Sequence, residues 1–350
     1  MNMTSKQRVL NALRRVKPDR VPIFNSFTPQ IEGQLCQYFR CSSDDLDEII
    51  GNDVKRVSFS PPLGFHNINY SDGSFTDEWG IWYKRVGYYD EMIFHPLADL
   101  NKIDQYQFPD PWAPGRFDQA KKILQKNHLQ LATMGFLGST NFEPSWYLVG
   151  LEKFLIEFFQ ENPIIEYILD QTLHFYQAIG QQMISLGVDI IMCGDDVGTQ
   201  QGMMISPQVW RKRLKPRLDQ LFRTFKQSNP NIIIVYHSDG NIEPIIPDLI
   251  ELGLDVLNPI QPKCMDPIEI KRKYGDHLAF FGTIDEQETL PFLNEEEVRN
   301  EVKTRIQTVG YNGGLLLGAT HNIQPDTPLK NIMVMYDEVQ SNLFLQQMTS

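Results

Sequence analysis

Short apolar runs alternating with longer stretches of helical period dominate this chain. The runs cover residues 21–25, 54–59, 129–136, 189–193, 232–236, 256–260, 278–281 and 315–318. Most lack the strict apolar and polar alternation of a half-exposed strand, which predicts strands buried on both faces of a parallel sheet. Between them, apolar positions recur every three or four residues. Residues 4–16 place Val9, Leu10, Leu13 and Val16 on one side, and 162–186 does the same with Ile168, Leu169, Leu173, Tyr176 and Ile179. Further helices are predicted over 207–225, 243–252, 267–274, 295–309 and 328–345. Asn162-Pro163, Ser206-Pro207, Asp266-Pro267 and Thr327-Pro328 each set a capping side chain before a proline at the first helical position.

Eight strands, each followed by helix, predict a (β/α)8 barrel of the TIM type. The alternative is a doubly wound open sheet. No glycine-rich dinucleotide or Walker loop follows the first run, which weakens that alternative. From about residue 60 to 115 the chain is rich in aromatics, glycine and proline. Asp77-Glu78-Trp79-Gly80 with Trp82 and Tyr83 predicts a hairpin lying over the barrel mouth, aromatic core packing being the other reading. No linker-like shift in composition divides the chain, so residues 1–350 are expected to form one domain.

The 350 residues, 41% of them hydrophobic, suffice for a full core. A formal charge of −12 argues against nucleic acid or an anionic membrane as a partner, since both call for a basic face. Four cysteines, at 36, 41, 193 and 264, have neither CxxC spacing nor the density of a secreted framework. With no apolar segment approaching a membrane span, a cytoplasmic protein is expected. Oligomeric state is left open, a homo-oligomer being allowed.

The polar tips of the runs carry the candidate chemistry, because in parallel α/β proteins ligands bind at the carboxyl ends of the strands. The fourth run ends in Gly194-Asp195-Asp196-Val197-Gly198-Thr199-Gln200, where two adjacent carboxylates can orient a substrate, act as a base or hold a metal. Turn capping is the alternative. The fifth run delivers His237 and Asp239, and the eighth His321. Two imidazoles and a carboxylate form a sufficient ligand set for zinc or another divalent ion with an open position. The same residues also suit a metal-free polar pocket in which Asp239 fixes a tautomer or caps the Gly240 turn. The third, sixth and seventh tips add Asn141, then Asn258 and Gln261, then Asp285. Asp195, Asp239 and Asp285 are therefore the catalytic candidates. Asn141, Asp196, Gln200, Asn258 and Gln261 are the substrate-binding candidates, and His237, Asp239 and His321 the metal candidates. His66, His95, His128, His174 and His277 are read as structural.

Several of these stretches resemble the uroporphyrinogen decarboxylase superfamily, in particular its branch containing corrinoid-dependent methyltransferases. The resemblance runs from Lys6-Gln7-Arg8-Val9-Leu10 and Asp19-Arg20-Val21-Pro22 through Gly194-Asp195-Asp196 and Ile205-Ser206-Pro207. It continues in His237-Ser238-Asp239-Gly240, Asn258-Pro259-Ile260-Gln261, Phe281-Gly282-Thr283-Ile284-Asp285 and Gln324-Pro325-Asp326-Thr327-Pro328. It implies a (β/α)8 barrel. True porphyrinogen decarboxylases carry an arginine-bearing loop after the first strand, where this chain has Phe24-Asn25-Ser26-Phe27-Thr28-Pro29-Gln30. Without guanidinium forks a many-carboxylate tetrapyrrole is desolvated unpaired, which disfavours that substrate. The thiol-methylating branch is similar in holding zinc with a histidine and two cysteines. His237, Asp239 and His321 stand at those places here, and harder ligands leave the metal more of a Lewis acid.

The resemblance thus implies a methyltransferase that moves a methyl group between a small-molecule donor or acceptor and a corrinoid on a separate partner protein. Asp195 and Asp285 would orient or protonate the reacting group. A metal-free decarboxylase or lyase acting on a small acid, and a binding barrel without catalysis, are the alternatives.

Overall fold

The computed structural model describes residues 3–87, 89–127 and 130–347. His128 and Leu129, the latter the first residue of the predicted third run, lie outside them. The strands are β1 (Val54–Ser58), β2 (Ile68–Asn69), β3 (Phe75–Thr76), β4 (Trp82–Val86), β5 (Tyr89–Phe94), β6 (Ala132–Ser139), β7 (Ile190–Gly194), β8 (Ile233–His237), β9 (Val256–Asn258), β10 (Ala279–Phe281) and β11 (Leu315–Leu316). Seven of them form one curled parallel sheet in the order β1-β6-β7-β8-β9-β10-β11. β2 to β5 form a separate antiparallel sheet, which is the predicted excursion.

Alternation along the parallel strands divides two apolar layers. Val54, Met134, Ile190, Met192, Val235 and Phe281 face the concave side, where Val9 and Leu13 of the helix Ser5–Leu13 join them. That helix begins with a capping box between Thr4 and Gln7. The intervening residues Val57, Ile191, Ile234 and Leu257 face the surrounding helices. Both faces of the sheet are therefore buried, as the unbroken apolar runs required.

The first predicted strand, 21–25, differs from expectation. It makes an isolated parallel bridge, Ile23 to Leu317, instead of a regular strand. Pro22 has no N–H to donate. The N–H of Ile23 goes to Asp53 Oδ2 at 2.9 Å and that of Asn25 to Asn52 Oδ1 at 3.0 Å. Side chains thus take bonds that a strand ladder would supply, while Phe24 N–H still reaches Leu317 O at 2.9 Å and Asp53 N–H reaches Ile23 O at 2.8 Å. Buried Asp53 also takes Arg8 and Arg20, each at 2.7 Å.

Helices follow the predicted periods with local breaks. The predicted 207–225 helix divides into Pro207–Arg213 and Lys215–Ser228 at Leu214, where Pro216 removes a donor. The long helix Pro163–Ser185 is capped by Asn162, whose side chain accepts from Ile164 N–H at 2.9 Å. Among the described residues, no helix is long and apolar enough to cross a membrane.

The excursion packs on this helix layer. Trp79 stacks on Tyr176 at 6.1 Å and meets Phe175 edge-on at 4.9 Å. Fully buried Arg116 binds Glu78 with both ends of its guanidinium. No described residue of 61–114 lines the main cavity, so the aromatic core reading holds for Trp79. Tyr89 O–H, at the tip, donates to Gln324 Oε1 at 2.6 Å.

Candidate active site

The loops leaving β6, β7 and β8 bind one another through side chains. Glu143, in the helix Phe142–Val149 after β6, accepts the N–H of Asp196 at 2.9 Å. Asp196, after β7, accepts the N–H of Asp239 at 2.8 Å. Two glycines permit so close an approach. A Cβ on Gly194 would stand 2.3 Å from His237 O, and one on Gly240, whose φ is +81°, would stand 2.5 Å from Thr199 N.

His237 ends β8. Its Nδ1 lies 2.7 Å from Asn258 Oδ1, while Asn258 Nδ2 donates to Phe281 O at 3.0 Å. That amide orientation makes Nδ1 the protonated donor and turns Nε2 toward the carboxylates. Nε2 is 3.6 Å from Asp196 Oδ1 and 3.8 Å from Asp239 Oδ1. Burial lowers the imidazole pKa, but Asp239, Asp196 and the Asn258 hydrogen bond outweigh it, and the net direction is upward. Asp239 Oδ1 is buried with no hydrogen-bond partner. An orphaned carboxylate oxygen beside a free imidazole nitrogen asks for a proton or a cation.

Among the described residues, Asp196, His237 and Asp239 are the cluster able to share a metal ion, with ligand atoms all within 4.8 Å of one another. A divalent ion with bonds of roughly 2.0–2.2 Å can bridge such separations after small side-chain adjustments. His321 faces the same cavity, its ring centroid 6.4 Å from that of His237, but it stands outside this cluster. Asp196, expected among the substrate contacts, takes the third place because β7 and β8 are neighbours in the sheet.

The cavity at this end measures about 290 Å³ and is lined by Arg56, Glu143, Tyr147, Asp196, His237, His321 and a floor that includes Met134, Phe136 and Phe281. Of the other expected residues, Asn258 lines it and Asp195 does not. The buried Asp195 carboxylate accepts the backbone N–H groups of Asn141 at 3.0 Å and Glu143 at 2.9 Å, anchoring the start of a helix. Burial and the charge of Glu143 push its pKa up to about 8, against those bonds. Asn141 Nδ2 donates to Leu169 O at 2.6 Å, outside the cavity lining. Asp285 accepts the N–H of Gln287 at 2.9 Å and Gln261 that of Gly240 at 2.7 Å. Both bonds shape turns. Gln200 is exposed in its loop.

Sequence reasoning passed over Glu143, Tyr147, Glu286 and Arg56. Glu143 accepts from Tyr147 O–H at 2.7 Å and Ser139 O–H at 2.8 Å, and burial followed by Asp196 raises its pKa. The spacing of four between Glu143 and Tyr147 on one helix was the available signal. Glu286 has a buried Oε2 without a partner, and burial, then Asp239, Asp285 and Asp326, push its pKa up to about 8.

These features define an α/β protein with a polar cavity at the carboxyl ends of a curled parallel sheet. The chain belongs to the uroporphyrinogen decarboxylase family: residues 85–342 match the family described as "Uroporphyrinogen decarboxylase (URO-D)". Its curated relatives include uroporphyrinogen decarboxylase of Legionella pneumophila (strain Lens), 24% identical over 350 residues that cover 94% of this chain and 95% of that protein. The Coxiella burnetii (strain RSA 493 / Nine Mile phase I) protein of the same name is 20% identical over 261 residues, covering 71% of this chain and 69% of that one. Among solved structures, a methyltransferase from Methanosarcina mazei matches with a TM-score of 0.68 and 20% identity, covering 97% of this chain and 99% of that chain. That likeness is one of fold.

Proposed function

We propose that this chain is an enzyme of methyl transfer, moving a methyl group between a small molecule in the cavity and a corrinoid carried by a separate protein. The observation that carries this reading is the Asp196, His237 and Asp239 cluster with its orphaned oxygen, set at the rim of a cavity that suits a small ligand. A volume of about 290 Å³ lies just below the roughly 300–1,000 Å³ of pockets for drug-sized ligands. It suits a small substrate better than a tetrapyrrole, and the loop 24–30 supplies no arginine for one. The Methanosarcina mazei protein of similar fold is named a methyltransferase.

In this reading, Asp196, His237 and Asp239 hold a divalent cation, zinc being the first candidate. The ion supplies Lewis acidity to the atom that gives or takes the methyl. Asn258 fixes the His237 ring so that Nε2 faces the acids. Glu143, held by Tyr147 and Ser139, orients or protonates the substrate, and His321 closes the opposite rim. Asp195 and Asp285 act as positioning residues for the loops. The segment 21–25 completes an eight-stranded (β/α)8 barrel, and the chain works as one domain; the bridge from Ile23 to Leu317 and the bond from Asp53 to Ile23 support that closure.

A second reading is a metal-free decarboxylase acting on a small acid. The carboxyl group of Glu143, which lines the cavity and is held above its ordinary pKa by burial and Asp196, favours it, since such a group is a better placed proton donor to a carbanion.

Metal analysis of protein purified without a polyhistidine tag, paired with spectroscopic demethylation of methylcobalamin in the presence of small thiols, amines and phenols, separates the two. Methyl transfer predicts one divalent ion per chain, lost in Asp196→Ala and His237→Ala, and corrinoid turnover that falls with it. Protein that binds no added zinc and leaves methylcobalamin intact overturns the reading.

A further inference from the structure

β1 places a cation where the sheet pattern calls for an apolar side chain. Its residue Val54 faces the inner layer, and Val57 faces the helices. Lys55 points outward to Asp47 at 2.7 Å. Arg56 therefore points inward and lines the cavity. By hydrogen-bond register it stands level with Met134, Ile190 and Ile233. That is four residues earlier than His237, or about 13 Å of strand.

No described residue forms an ion pair with this group. Arg8 and Arg20 have Asp53, Arg116 has Glu78, and Arg213 has Glu166. Arg56 makes a single contact of note, its guanidinium carbon lying 4.6 Å from the centroid of the Phe136 ring. It forms no ion pair or hydrogen bond with any described residue, so all five N–H donors are available to the cavity. Its side chain is open to solvent within the cavity, and the surrounding protein still pulls its pKa below the ordinary value by partial desolvation, offset by Asp47 and Glu32 only through space. The acids that line the cavity, Glu143 and Asp196, are engaged at the mouth, with each other's loop and with Tyr147 and Asp239.

We propose that Arg56 is a specificity residue that binds one anionic group of the substrate, a carboxylate, sulfonate or phosphate, at the inner end of the cavity. The substrate then spans the pocket with its anion on Arg56 and its reacting atom toward His237. A planar guanidinium resting on an aromatic ring is held for bidentate contact with such a group. The single fork also sets the count: one anion is neutralised, and a second would meet the acids of the mouth. This rests on the reading of the cavity as the substrate site.

The test compares anionic ligands with neutral isosteres by calorimetry on the whole protein. Benzoate against benzamide is the primary pair, with ethanesulfonate and ethyl phosphate distinguishing among the anions. The wild type is expected to bind at least one anion ten-fold or more tightly than benzamide. Arg56→Met should abolish that preference, Arg56→Lys should keep only part of it, and zinc stoichiometry should stay unchanged in both. Equal binding of anion and amide by the wild type, no measurable anion binding, or a preference that survives in Arg56→Met overturns the proposal. Because Arg56→Lys preserves the charge, it supplies the readout should Arg56→Met not fold. Zinc that fails to bind any of these proteins, with the anion preference intact, rejects the metal reading and leaves the Arg56 subsite standing.

Discussion

His237 and Asn258 are held 2.7 Å apart, ring nitrogen to amide oxygen, on the adjacent strands β8 and β9. The bond settles which face of the imidazole meets Asp196 and Asp239. It also passes the constraint on to β10, because the same amide donates to Phe281 O at 3.0 Å. Three neighbouring strands thereby fix one ring.

Asn258→Leu removes that constraint with little change in volume. The His237 ring gains a second tautomer and rotational freedom, and loss of such an orienting partner typically weakens metal binding 10–100-fold. Zinc affinity measured by competition with a chromophoric chelator should fall within about that range, while far-ultraviolet circular dichroism stays unchanged. Unaltered affinity would show that the bond does not prepare the ring for a ligand.

Gly194→Ala tests the close approach of the β7 and β8 tips. The added methyl meets His237 O at 2.3 Å, a backbone atom on a sheet ladder that has no rotamer to yield. Overpacking of this kind costs about 1–3 kcal/mol, and contact with backbone favours the upper end. Urea denaturation should report that loss. Since any relief displaces His237 from Asp196, zinc binding should weaken in the same variant.

How far the sequence disclosed this site depends on what each residue does. His237, Asp239 and His321 were legible because polar residues abruptly end apolar runs, and all three lie at one end of the sheet. Asp196 was visible, but its place beside His237 depends on strand order, which a linear reading does not contain. Asp195 and Asp285 show the limit most directly. As acids at strand ends they match a catalytic pattern, yet Asp195 accepts the backbone N–H groups of Asn141 and Glu143, and Asp285 Oδ1 accepts that of Gln287. Arg56 escaped notice for the opposite reason, since a charge inside the run 54–59 reads as a solvated edge until the sheet curls round it. Among the core elements, the run 21–25 announced itself as a strand, but Pro22 and the side chains of Asn52 and Asp53 take the place of part of its ladder.

Stability should decline with pH across the neutral range in metal-free protein. Glu286 has an ordinary pKa of 4.5 that burial and Asp239 raise to about 8 in the folded state. A group raised in this way gives its full contribution below its unfolded pKa and loses it as pH climbs through the folded value. Asp195, raised to about 8, acts in the same direction. The melting temperature after chelator treatment should therefore fall between about pH 5 and pH 8.5. Glu286→Gln should melt above the wild type at pH 8.5, with the gap closing toward pH 5. A gap that is constant across the range would mean that Glu286 ionises freely in the folded protein.

The role of the excursion turns on the pair Arg116 and Glu78. Arg116 is wholly buried and spends its donors on Glu78 Oε2 at 2.6 Å, Glu78 Oε1 at 3.0 Å and the carbonyl of Asp110 at 2.7 Å. Glu78→Ala leaves that guanidinium without a counter-charge, a change that costs about 3–5 kcal/mol. Replacing both partners, Glu78→Leu with Arg116→Met, removes the buried charge as well and should recover most of the loss. If the excursion only buttresses the helix Pro163–Ser185, the double variant will bind cavity ligands with wild-type affinity and off-rate. If it instead gates the cavity through Tyr89 and Gln324, the double variant will release ligand faster at restored stability, and stopped-flow displacement of a bound anion distinguishes the two. The packing of Trp79 on Phe175 and Tyr176, remote from the cavity lining, argues for the first outcome.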